Sequence, residues 1–424
     1  MTQHDDDLDL FGEAPTERHR PVRRDSRDRG DSRDRRDSRE RRGRKPPPPP
    51  KKKRRTGLWI GMVLVLALIA AGGYYGYKQL TGIGDYEDFA GQGEGDVVIQ
   101  VQDGDSTGDI ATTLVDAGVV ASSRAFVAAA ESNADVRGVQ PGYYVMKKNA
   151  SGAAAVTKIV NPESRVGALQ IKPGAQFEDI KLKGDKVVKG ITSMLADASC
   201  AELDGKSTCV QPAQLLDVVV KADLAKLGVP DWAVPDAAKA EPKRRLEGLI
   251  MPGVYDVKPG STPEELWQQL VSQSAMQMQA YGLPDIATDT GYTPYQVLVM
   301  ASLVEKEAVT KDFGKVSRVT YNRLRDSMKL QYDSTINYVL DRPMIRTTAE
   351  DRARVGPYNT YGNTGLPPTP ISAPGKEAIE AAVKPEPGDW LFFVVCEKDG
   401  TSCFAKTNDE HERNVDLANE RDAY

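Results

Sequence analysis

Apolar positions fall into a few sharply different patterns along the chain. An unbroken run, Leu58 to Tyr77, holds no charged residue over 20 positions. At about 1.5 Å per residue that is long enough to cross a bilayer core as one helix. Beyond it the pattern is mixed. Val97 to Val101 reads as an apolar strand, Thr107 to Ala117 and Arg124 to Glu131 repeat with helical spacing, and GYYVMKK at 142–148 returns to extended character. The order strand, helix, helix, strand predicts a small α/β module. A further helix is expected over Ala153 to Val160 and a fresh strand over Val166 to Ile171, followed by a mainly helical stretch to residue 243. LEGLIMPGVYDVKPGSTPEEL, 246–266, predicts a strand-like segment with two turns, then a helix capped by Ser261 or Thr262 with Glu265 behind it. Thr293 caps the next helix and Pro294 suits its first turn, while Val297 to Ala301, Leu303 and Val304 make it apolar on nearly every side, so it is buried. Trp390 to Val395 and Cys403 to Thr407 predict a hairpin, and NDEHERNVDLANER closes the chain as a polar helix.

Charge divides the molecule at the apolar run. Residues 1–55 carry 19 Lys+Arg against 12 Asp+Glu, while the rest carries 37 against 49. Three six-residue units from Asp25 to Arg42, the prolines 46–50 and the basic run Lys51 to Arg55 leave almost nothing to bury, so the tail is expected to be disordered. Arginine-serine repeats can bind nucleic acid, but a solvated tail accounts for them and no nucleic-acid partner is expected. Basic residues abut the near end of the run, whereas Asp85, Glu87 and Asp88 follow Lys78 on the far side. The positive-inside rule therefore places the tail in the cytoplasm and the acidic body outside the cell membrane, on a single uncleaved span. The expected organisation is a disordered cytoplasmic tail 1–55, a transmembrane helix 56–78, a glycine-rich flexible stalk 79–95, a module 96–165, a connecting helical region 166–244 and an α+β domain 245–424.

Cysteine usage suits that compartment. The four cysteines form two close pairs, Cys200 with Cys209 and Cys396 with Cys403, and local pairing is the simplest connectivity. A turn at Asp399-Gly400 sets Cys396 directly opposite Cys403 in the predicted hairpin, within disulfide range. Neither pair has zinc-like spacing, and only three histidines are present, two of them in the tail, so no metal and no cofactor is expected. His411 is read as a surface residue.

The buried helix ends on an acid. Counting back from Glu305 by three, four and seven residues gives Ser302, Ala301 and Leu298, a small and mostly apolar face; Lys306 and Glu307 project elsewhere. Burial should raise the pKa of Glu305, and a carboxylic acid protonated near neutral pH is what glycosidic cleavage needs. The competing reading pairs Glu305 with a lysine or arginine at the helix end. YNTYGNTGLPPTPISAPG, 358–375, offers rings and amides for a sugar, or forms a plain surface loop.

Seven segments in order, LEGLIMPGVYDV, ASLVEKEA, YNRL, LQYDST, YNTYGNTGLPPTPISAPG, DWLFFVV and FAKTNDEHERNV, resemble the MltG (YceG-like) family of endolytic murein transglycosylases. IQVQDG and LQIKPG also resemble the entry to LysM-like modules, which leaves carbohydrate binding and simple spacer structure both open. The resemblance implies a lyase that cuts the MurNAc to GlcNAc β-1,4 bond within peptidoglycan and leaves a 1,6-anhydro end. Glu305 matches the acid, and Gln331, Asp333, Tyr358, Asn359 and Tyr361 are candidates for holding the sugar. A hydrolytic muramidase would need a second acid, for which Asp333 is the candidate; a non-catalytic wall-binding scaffold is the reading from a different class. Peptidoglycan glycan strands are the implied partner, with peptidoglycan synthases and division proteins as further ones.

Overall fold

The computed structural model describes residues 62, 65–74, 86–182, 184, 186–340 and 347–423. The chain forms two compact units, 1–82 and 83–424. In the first, residues 65–74 are helical and their apolar side chains are exposed, Leu68 at 70% and Ile69 at 63%. The expected tail and most of the expected span lie outside the described residues, and among the described residues no helix is long and apolar enough to cross a membrane.

The second unit is α+β. It opens with β1 (Glu94–Val101), α1 (Thr107–Asp116), α2 (Ser123–Ala130), β2 (Gly142–Lys148) and α3 (Gly152–Ile159), in the predicted order. β1 and β2 pair antiparallel, Ile99 opposite Tyr144, and the short β3 (Arg165–Val166) adds to the free side of β2. Ser106 caps α1 in a reciprocal box with Asp109, and Ser122 and Ser151 cap α2 and α3. Ile99, Ile110, Leu114, Phe126, Met146 and Val156 form a core of their own. The glycine-rich segment before β1 is not a free stalk. From Glu87 onward it is pinned to the module: Ser122 donates to the Glu87 carbonyl at 2.7 Å, the Gly152 amide donates to Asp88 at 2.9 Å, and Ser151 donates to the Gly91 carbonyl at 3.0 Å.

A larger core runs from Leu169 to Ala382 and draws on both the connecting region and the region after it. β4 (Ala168–Ile171) pairs antiparallel with β5 (Gly253–Asp256), and α4 (Ile191–Ala198) and α5 (Pro212–Lys221) pack beneath. Trp267 of α6 (Pro263–Ala280) stacks on Phe177 at 5.1 Å and donates its indole N–H to the Leu215 carbonyl at 2.9 Å, joining the two stretches. The cap of α6 is Thr262 with Glu265. At the centre lies α7 (Pro294–Glu307), capped by Thr293 with Gln296 and buried at Tyr295 and from Val297 through Val304. Around it stand α8 (Phe313–Arg325), the five-residue α9 (Asp333–Asn337) and α10 (Lys376–Val383).

The hairpin of β6 (Phe392–Val395) and β7 (Ser402–Ala405) leads into α11 (Asn408–Glu420). Both disulfides join the local pairs, with Cα separations of 4.1 Å for Cys200–Cys209 and 5.6 Å for Cys396–Cys403. The register, however, is two residues from the expected one: Cys403 faces Val394. The turn takes four residues, because Gly400 N–H bonds the Glu397 carbonyl and Cys396 N–H bonds Thr401, while Gly400 adopts φ +81°. The disulfide is therefore diagonal, not directly opposed. His411 is half-buried, stacked on Phe392 at 5.3 Å, and not the plain surface residue expected; burial holds its pKa below the usual value.

Candidate active site

With about 3.6 residues per turn, the consecutive side chains that end α7 point in different directions. Glu305 points to the start of α10. Its Oε2 accepts the Gly375 N–H at 2.9 Å, and a Cβ on residue 375 would lie 3.2 Å from that oxygen, so glycine lets the two come together. Burial raises the pKa of Glu305 and the nearby Glu377 adds to this, against the Gly375 N–H and Lys306. No ion pair holds Glu305 among the described residues, and no hydrogen bond joins it to any of the five expected sugar-binding residues.

Glu307 faces the other way. It lies on the side of α7 marked by Leu303, whose side chain clusters with Leu330 and Tyr332 of the LQYDST segment. Its Oε1 accepts the Ser334 N–H, at 3.1 Å, in the first turn of α9. Burial pushes its carboxyl to about 7, with the charge of Asp333 adding and the Ser334 bonds and Lys306 opposing. Asp333 behaves in the opposite sense. Burial would raise it too, but donors outweigh that: Tyr361 OH at 2.6 Å, Thr347 Oγ1 at 2.7 Å and the Arg352 guanidinium at 3.4 Å hold it below the usual carboxylate range. Two neighbouring carboxyls are thus driven apart, one to hold its proton near neutrality and one to stay ionised, the arrangement acid–base chemistry requires.

The surrounding loops are laced together. Gln331, exposed and at φ +57°, donates its N–H to the Thr360 carbonyl at 3.1 Å, and Tyr332 N–H bonds Thr360 Oγ1 at 2.9 Å. Arg323 spans the cluster, donating to the Leu330 carbonyl at 2.7 Å, the Gln331 side chain at 3.2 Å and the Leu391 carbonyl at 2.6 Å. The Arg352 guanidinium lies 5.0 Å over the Tyr361 ring.

Gln331, Asp333 and Tyr361 therefore gather as the sequence led us to expect, but around Glu307 and not Glu305. Tyr358 and Asn359 do not offer themselves to a ligand. Tyr358 is 3% exposed, shares a hydrogen bond with Thr369 at 2.8 Å and packs its ring 4.9 Å from Tyr338. Asn359 braces its own loop, donating to the Arg352 and Arg354 carbonyls and accepting from the Tyr361 and Gly362 amides. Both are scaffold, because their polar atoms are already spent. Glu307 was within reach of the sequence: three, four and seven residues before it stand Val304, Leu303 and Met300, a bulkier apolar face than that of Glu305. Arg323 lay within the quoted YNRL segment without a role assigned to it, while Thr347 and Arg352 carried no local signal, since long-range packing alone brings them in.

Among the described residues, no group of three or more His, Cys, Asp or Glu side chains is placed to hold a metal ion. The profile of the YceG-like family matches residues 99–417. An endolytic murein transglycosylase of Bacillus subtilis (strain 168) is 30% identical over 319 residues, covering 75% of this chain and 83% of its own. One from Streptococcus pneumoniae (strain D39) is 27% identical over 373 residues, 84% of this chain and 64% of the relative. The 2.6 Å crystal structure of a yceG-like protein from Listeria monocytogenes superposes with a TM-score of 0.50 at 27% identity, over 75% of this chain and 98% of that one.

Proposed function

The chain belongs to the YceG-like family, and on that footing we propose that Glu307 is the acid with which it works: it is an endolytic murein transglycosylase, a lyase acting on peptidoglycan strands. The observation that carries the assignment is the pairing of a carboxyl held near 7 with an ionised Asp333 inside the LQYDST and YNTYGN loops. Glu307 keeps Oε1 on the Ser334 N–H. It gives its proton to the glycosidic oxygen as the bond breaks; the carboxylate left behind takes a proton from the muramyl C6 hydroxyl, which closes the 1,6-anhydro ring. One group serves both steps. Asp333 accepts from Tyr361, Thr347 and Arg352, so it orients and charges the site, and the muramidase reading loses its water-activating base. Exposed Gln331 and half-buried Tyr361 are the residues left to meet the sugar.

The same reading places the body outside the cell on a single span. The uncharged 20-residue run supports this, as do the exposed apolar side chains of helix 65–74 and the basic cluster before them. The βααβ module suits a LysM-like unit that keeps the enzyme on the wall, and peptidoglycan synthases and division proteins are the partners such a position implies. The test is to incubate residues 83–424 with glycan strands and weigh the products. Ends lighter by one water are expected; reducing ends mark a hydrolase, and uncut strands mark a scaffold.

A further inference from the structure

A cavity of about 450 Å³ opens at the far end of α9 from Glu307. Tyr338, Val339 and Leu340, which follow α9, line it, as do Gln176 and Phe177 of the loop that passes over Glu305. Five residues of helix span less than about 10 Å, so the cavity lies within one or two sugar lengths of the proposed acid. Its wall alternates in sign, with Glu178, Asp179 and Glu247 facing Lys181, Lys243 and Arg244.

Two lining side chains are more than nine-tenths buried and each leaves a polar atom without a partner. Glu247, 1% exposed, spends Oε2 on the Phe177 N–H at 3.3 Å and the Tyr338 hydroxyl at 2.9 Å, but Oε1 has none; Thr192, 7% exposed, leaves Oγ1 unbonded. Buried polar atoms are almost always satisfied, so two around one cavity point to an occupant with its own donors and acceptors. We infer that this cavity receives the peptide stem of a muramyl residue next to the bond that is cut, which makes the enzyme selective for stem-bearing glycan.

The inference rests on murein being the substrate, and the wall decides which part of it enters. Sugars are uncharged and are held by ring faces and neutral hydrogen bonds, whereas the stem carries carboxylates, an amine and a run of amides. The aromatic face here is already covered, because the Arg244 guanidinium lies 4.5 Å over the Tyr338 ring and 5.6 Å from that of Tyr358. Arg244 is engaged, by Glu241 at 3.1 Å and Glu178 at 3.9 Å, but Lys243 has only the shared Glu178, at 3.4 Å, and Lys181 has no ion pair among the described residues, so these two lysines are available to a carboxylate. Thr192 and Glu247 then meet the amides of the stem.

The experiment compares strands that keep their stems with the same strands stripped by an amidase, using the full chain and counting anhydro ends. The wild type should favour stemmed strands by about tenfold. Thr192→Val and Lys181→Ala should each lower that preference roughly three- to tenfold, the size of one hydrogen bond or exposed charge contact, with the rate on stripped strands unchanged. The thermal midpoint of Thr192→Val should hold or rise slightly, since a buried hydroxyl without a partner is removed. Equal wild-type rates on both strands, or a preference untouched in both variants, would overturn the inference while leaving the activity standing. If neither strand yields anhydro ends, the activity itself fails and this inference falls with it.

Discussion

Glu305 and Glu307 stand two residues apart on one helix, and burial raises both, yet their surroundings differ. Glu305 ties the end of α7 to the Gly375 amide and, among the described residues, has Lys306 and Glu377 as its charged company. Glu307 meets a carboxylate held below its usual pKa, an arginine-braced loop and the LQYDST segment, which Tyr361 ties to the YNTYGN loop. A raised pKa is thus a property of depth, and depth alone does not mark a catalytic acid; the neighbours that respond to it do. Glu247, also pushed to about 7 by burial, makes the same point.

The widest separation should come from paired amide variants. Glu307→Gln removes the transferable proton and should lower cleavage by a factor of about 10² to 10⁴ with the fold intact. Glu305→Gln keeps an acceptor for the Gly375 N–H and should stay within about threefold of wild type. Initial rates on one strand preparation, with circular dichroism of each variant, check both; equal losses would erase the contrast.

Opening the Cys396–Cys403 bridge with serines tests the support of the Glu307 side. The hairpin supplies the Leu391 carbonyl that holds Arg323, so we expect a cost of about 2 kcal/mol in urea unfolding and a weaker active site, with the Gly375 contact undisturbed. Asp333→Asn should cost roughly tenfold in kcat/KM. It also removes a negative charge that favours the protonated form of Glu307. The Glu307 pKa should therefore fall, and the alkaline limb of the pH–rate profile, where the acid is lost, should move to lower pH.

The smallest effect concerns stability. Glu247 and Glu307 hold their protons more tightly folded than unfolded. Their contribution is complete below the ordinary glutamate pKa of about 4.3 and is lost as pH rises towards about 7. Glu247→Gln should flatten that decline by about 1 kcal/mol between pH 5 and 8, read from thermal midpoints.

Much of this was legible in the chain. The module, α6 and α7 announce themselves by period and cap, because Ser106, Ser122, Thr262 and Thr293 each sit just before a helical repeat. The segment 86–95 misled because glycine content signals freedom, whereas Asp88 and the Gly91 carbonyl are fixed by residues some sixty positions on. The hairpin register slipped by two because the Asp399 carboxylate, bonded to Thr401 and Lys311, favours a wider turn than Asp-Gly alone suggests. The site was half visible: polar loops can be read along a line, but which of two acids they surround depends on helix rotation and on contacts such as Tyr361 to Asp333, 28 residues apart.

The most direct test of Glu307 as the proton carrier is to titrate its carboxyl by infrared difference spectroscopy in the wild type, Glu305→Gln and Glu307→Gln, beside the pH–rate profile of each active form. A carboxyl titrating near 7 should match the alkaline limb of the rate, persist in Glu305→Gln and vanish in Glu307→Gln. If the titration that tracks the rate disappears with Glu305 instead, or Glu307 ionises near the ordinary glutamate value, the account is contradicted.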